Sequence, residues 1–75
     1  MHISVKCYAT LAPYQPHDND RYPVTDGETL ESLLKRLGLQ VKDVKLFFVN
    51  GKNATLDTLL QDGDRVALFP PVGGG

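Results

Sequence analysis

From His2 to Tyr8 the residues alternate, with Ile3, Val5 and Cys7 on one side and His2, Ser4, Lys6 and Tyr8 on the other. A period of two is what a strand with one buried face requires, so the spacing predicts a first strand. Between Thr10 and Asp20 the pattern stops. Pro13, Pro16, Asp18, Asn19 and Asp20 are turn formers whose prolines oppose a regular helix or central strand, which predicts a loop. Arg21 to Thr25 reads as a short second strand, with Pro23 marking an edge. Leu30, Leu33, Leu34 and Leu37 then recur at i, i+3, i+4 and i+7, one apolar stripe of helical period. Thr29 suits the N-cap and Gly38 a left-handed C-cap. Glu28 and Glu31 lie at the positive end of the dipole, Lys35 and Arg36 at the negative end, and Glu31 and Lys35 are spaced for a surface ion pair. Lys45 to Asn50 predicts a third strand, Asn50-Gly51 a hairpin turn, and Lys52 to Ala54 a short fourth strand. Leu56, Leu59 and Leu60 predict one helical turn, Asp62-Gly63-Asp64 a tight turn, and Arg65 to Phe69 a final strand.

This order describes an α+β domain in which a mixed sheet of four to five strands wraps over one main helix, a β-grasp (ubiquitin-like) arrangement. One helix covers one face of the sheet. The inward residues are therefore expected to be Ile3, Val5 and Cys7, then Leu46 and Phe48, then Val66 and Leu68. Arg65, Ala67 and Phe69 point out, and Phe47 and Val49 enlarge an apolar patch around Phe69 if their side of the sheet is open. The expected division is a β-grasp domain over 1–72 and a flexible glycine tail over 73–75.

Size and charge narrow the functional classes. Seventy-five residues bury only about 60% of their unfolded surface, too little for a deep cleft, which argues against a self-contained enzyme. Nine acidic and eight basic residues give a net charge of −1 with no run of either sign. Neither nucleic acid nor an anionic membrane is expected as a partner. The apolar stretches are strand-length and residues 1–6 lack the pattern of a secretory signal, so a soluble cytoplasmic protein is expected. One cysteine, Cys7, permits no internal disulfide and excludes a four-thiolate iron–sulfur site. Alternation turns it inward as a small core residue. His2 and His17 have no companion ligands at metal-site spacing, and no glycine-rich loop precedes the helix. Tyr8, Tyr14 and Tyr22 are expected to cover the side of the sheet built by the first two strands.

The end of the chain carries the chemistry. Gly73, Gly74 and Gly75 follow Val66-Ala67-Leu68-Phe69-Pro70-Pro71-Val72. Residues without a Cβ pack no core and lose the most backbone freedom on ordering. They do make a thread narrow enough to enter a channel in another protein, although a frayed terminus or leftover linker has the same composition. Pro70 and Pro71 hold the emerging chain extended and fix its direction relative to Phe69. The six residues from Pro70 to Gly75 reach at most about 20 Å.

The hairpin Phe48-Val49-Asn50-Gly51-Lys52, the turn Asp62-Gly63-Asp64 and the ending Val66 to Gly75 together resemble the ubiquitin-like sulfur carriers of the MoaD/ThiS family, over nearly the whole chain. The resemblance implies a β-grasp fold and no catalytic residue in this chain. Gly75 carries the sulfur: an E1-like adenylating enzyme activates its carboxylate with ATP, and a sulfurtransferase donor supplies sulfur to form a thiocarboxylate. Gly73, Gly74 and Gly75 are then the tail inserted into a partner, and Phe69, Pro70, Pro71 and Val72 the partner-binding residues. ATP is bound by the activating enzyme, not by this protein. An aromatic before a diproline is closer to MoaD, the small subunit of molybdopterin synthase. That likeness implies transfer of two sulfurs, one per loaded carrier, to cyclic pyranopterin monophosphate, giving the dithiolene that holds molybdenum or tungsten, within a complex with the synthase large subunit. The alternatives are a ThiS-like carrier for thiamine thiazole synthesis or for another sulfur-accepting synthase, and a ubiquitin-like module that only docks or is conjugated.

Overall fold

The computed structural model describes residues 1–71; the expectations for Val72, Gly73, Gly74 and Gly75 fall outside the described residues. Five strands form one sheet: β1 (His2–Cys7), β2 (Tyr22–Pro23), β3 (Leu46–Val49), β4 (Lys52–Asn53) and β5 (Arg65–Phe69), in the order β2-β1-β5-β3-β4. The β1–β5 pair is parallel and the others are antiparallel. Helix α1 (Leu30–Leu37) closes one face, and the whole is the expected β-grasp. β2 is the edge strand that Pro23 requires, shortened to two residues.

The ends of α1 follow its sequence. The Thr29 hydroxyl accepts a hydrogen bond from the Ser32 amide at 3.2 Å, and Gly38 takes φ 85°, a left-handed conformation that costs a residue with a Cβ about 1–2 kcal/mol. Leu30, Leu33 and Leu34 are buried, with Leu37 packed at the margin. They meet Ile3, Val5 and Cys7 of β1 and Val66 and Leu68 of β5, the inward positions that alternation assigns. Each fully buried Leu or Ile contributes about 1.5–3 kcal/mol of transfer free energy.

Four expectations are corrected. First, the segment after β1 is not a loop throughout: Ala9–Tyr14 and Asn19–Arg21 are short 3-10 helices. A proline's fixed φ is compatible with 3-10 geometry, and the first helix contains Pro13 and buries its own Leu11. Second, Leu56 to Leu60 make no helical turn. Their backbone pairs with the start of α1 instead: the Leu30 amide donates to the Thr58 carbonyl, the Glu31 amide to Leu56 and the Leu60 amide to Glu28. Two otherwise unpartnered amides at the helix N-terminus are thereby satisfied. Leu60 is buried and Leu59 exposed.

Third, the ion pair at α1 joins Arg36 to Glu28 at 2.9 Å, among the described residues the one such pair, rather than Glu31 to Lys35. Glu28 is buried, and its carboxylate also accepts from the Thr25 amide and the Ser32 hydroxyl. Burial pushes its pKa up, but the Arg36 hydrogen bond, the Thr25 amide, the Arg36 charge and the Ser32 hydroxyl outweigh that and hold it below its usual value. Fourth, β3 faces the opposite way from the expectation. Opposed residues in an antiparallel pair share a face, and Phe47 lies opposite Leu68 and Val49 opposite Val66. Phe47 and Val49 therefore pack on the core, while Leu46, opposite Phe69, and Phe48, opposite Ala67, point away from α1. The following turn is the expected Asn50-Gly51 hairpin, with φ 54° and 80°. The Asn50 side chain pins it by donating to Asp64 and accepting from the Arg65 amide, both at 2.9 Å.

Candidate functional site

β5 carries the chain to the end of the sheet at Phe69, and its last carbonyls are held on both sides. The Lys45 amide donates to the Phe69 carbonyl at 2.8 Å and the Tyr8 amide to the Leu68 carbonyl at 3.0 Å. Pro70 and Pro71 thus leave from a fixed point. Beside them the 3-10 helix Ala9–Tyr14 is tied back to β1, because the Gln15 side-chain oxygen accepts from the Cys7 amide at 2.9 Å. A groove of about 300 Å³ runs along the diproline, between Thr10, Leu11 and Tyr14 on one side and Lys42 and Asp43 on the other.

Phe69 points away from α1, as alternation requires, and it is half-buried rather than isolated. Tyr8 stacks on it with ring centroids 4.5 Å apart and planes within 5°. Phe48 meets it edge-on at 5.6 Å and 89°. Each such pair contributes about 0.5–1.5 kcal/mol beyond burial, so the three rings hold one another in place. They floor a second groove of about 340 Å³ that continues over Ala67 to Ser4, Lys6 and Arg65. The open face of the sheet therefore offers an immobilised aromatic platform directly beside the exit of the chain. Such a platform can seat an apolar side chain of another protein.

Of the expected partner-binding residues, Phe69, Pro70 and Pro71 are brought together at this end of the sheet, and Val72 lies outside the described residues. Phe48 and Tyr8 belong to the same cluster. Tyr8 was expected on the sheet but not on Phe69, and Phe48 was expected in the core. The other two tyrosines do not share a surface with Tyr8: Tyr14 stands at the diproline groove, and Tyr22, opposite buried Ile3, lies 4.8 Å below the Arg36 guanidinium. Cys7 is buried beneath the sheet, and burial pushes its thiol pKa up. Among the described residues no helix is long and apolar enough to cross a membrane.

Comparison with known proteins gives three results. The chain matches the ThiS family over residues 5–75. It is 38% identical over 56 residues to a molybdopterin synthase sulfur carrier subunit of Phaeosphaeria nodorum; this stretch covers 75% of the chain but only 54% of the relative, so the chain spans about half the length of that protein. Among solved structures it superposes on small archaeal modifier protein 1 of Haloferax volcanii with a TM-score of 0.75 and 27% identity, over 95% of this chain and 98% of the other. A Pyrococcus furiosus protein provisionally named molybdopterin converting factor, subunit 1, has a TM-score of 0.73 at 24% identity over 96% and 99% of the two chains, a likeness of fold.

Proposed function

The chain belongs to the ThiS family, and from that premise we propose that it is a sulfur carrier whose Gly75 carboxylate is the reacting group. The observation that carries this reading is that the family match runs through the last three glycines to residue 75. The aromatic platform beside the chain exit supports it.

The chemistry suits a main-chain acid. An α-carboxylate has a pKa of about 3.5, so it is ionised at neutral pH and attacks the α-phosphate of ATP on an E1-like enzyme, releasing pyrophosphate. In the acyl-adenylate AMP is the leaving group. A persulfide sulfur on a sulfurtransferase attacks the carbonyl and AMP departs, leaving an acyl disulfide to the donor. A second thiolate then attacks the donor's sulfur, so that the thiocarboxylate leaves and the two thiols end joined as a disulfide. Gly73, Gly74 and Gly75 give the reacting end its narrow cross-section, and Pro70 and Pro71 aim it. Phe69, with Tyr8 and Phe48, anchors the domain on each partner in turn, while those partners supply ATP, catalytic groups and acceptor. This chain acts as a co-substrate with no catalytic residue of its own.

The acceptor is a molybdopterin precursor, with the synthase large subunit as second partner; the Phaeosphaeria relative's name favours this over a thiazole-forming synthase. Intact mass after co-expression with an adenylating enzyme and a sulfurtransferase tests the reading. A carrier gains the oxygen-to-sulfur increment, a docking module keeps its mass, and a conjugated modifier appears joined to larger proteins.

A further inference from the structure

The outward strand positions are His2, Ser4 and Lys6 of β1, Pro23 of β2, Leu46 and Phe48 of β3, Asn53 of β4, and Arg65, Ala67 and Phe69 of β5, as the registers require. None is a carboxylate, although the chain has nine acidic residues against eight basic ones and a net charge of −1. Every Asp and Glu lies in α1, in the short 3-10 helices or in the turns and connections instead. Lys6 and Arg65 stand exposed on this face, and among the described residues neither makes an ion pair. They sit on neighbouring strands, Lys6 opposite Ala67 and Arg65 opposite Ser4, so sheet geometry places them about 5 Å apart across the strands and 7 Å along them. Both border the groove floored by Phe69, Tyr8 and Phe48.

We propose that this face receives an acidic protein surface, in which an aliphatic or aromatic side chain seats on Phe69 and flanking carboxylates meet Lys6 and Arg65. The inference rests on the carrier reading and specifies what its partners present. Two cations beside an apolar groove are too few for a polyanion or an anionic membrane, which call for clusters of about four or more. A second copy of this chain docked face to face would set the same unpaired cations against one another.

The probe is the purified E1-like adenylating enzyme of the source organism, titrated calorimetrically at low and at physiological ionic strength. Wild-type binding weakens as salt is added. Lys6→Glu and Arg65→Glu each reduce affinity about tenfold or more, and Lys35→Glu, on α1, stays within about twofold. Salt-independent binding, or charge reversals that bind like wild type, overturns the proposal, and the wild-type salt series decides even where a variant folds poorly. Binding to phosphatidylserine vesicles without binding to the enzyme, or concentration-dependent dimers abolished by the same reversals, also overturns it. Thiocarboxylate formation by the wild type at saturating enzyme is scored in parallel. If it fails, the carrier reading fails; if it proceeds while the reversals change nothing, only the acidic-partner inference is lost.

Discussion

Cys7 and Glu28 are the two side chains whose chemistry burial alters most visibly. For Cys7, 6% exposed, burial pushes the thiol pKa up and keeps reagents out, so alkylation by iodoacetamide at neutral pH is expected only at the rate of global opening. Mass spectrometry checks this; rapid modification of the native protein would place the thiol at the surface. Glu28 has its pKa lowered in the folded state. Its contribution is therefore fully present above the unfolded value of about 4.3 and is lost as pH falls through the lower folded value. Unfolding midpoints in urea should drop over that acidic window for the wild type and less steeply for Glu28→Gln. Superimposable acid profiles would mean that Arg36 does not hold the carboxylate charged.

At the scale of elements, the direction of β3 decides what the open face looks like. Phe47 packs on the core and Phe48 on Phe69. Phe47→Ala is expected to cost roughly 2–4 kcal/mol and Phe48→Ala about 1 kcal/mol, measured by urea unfolding. The reverse order would mean that β3 is paired one residue out of register. The sequence left this undetermined because Leu46, Phe47, Phe48 and Val49 are all apolar, and a period of two cannot be read where no polar residue marks the outer side. α1 was readable because its stripe spans two turns between a threonine and a glycine with opposite capping roles. Leu56, Leu59 and Leu60 fit a helical spacing by coincidence. Three positions cannot outweigh the backbone bonds that the start of α1 draws from that segment. The aromatic platform was half visible: alternation placed Phe69 outside, but its partner Tyr8 is sixty-one positions away and meets it only through the parallel β1–β5 register.

On the scale of the whole molecule, the fold separates two tasks. The buried face, with α1, supplies stability, and in the proposed carrier role the open face with the diproline exit supplies recognition. Phe69→Ala should accordingly weaken binding to the adenylating enzyme by about 1–3 kcal/mol in calorimetry. Unchanged affinity would remove the ring from the interface. The central claim is that the acid at Gly75 accepts sulfur, and intact mass after incubation with ATP, the adenylating enzyme and a sulfur donor tests it most directly. The full chain is expected to gain the thiocarboxylate increment and a chain lacking Gly74 and Gly75 to gain none, with equal melting temperatures. A full chain that never gains sulfur, or a shortened one that gains it equally, would contradict it.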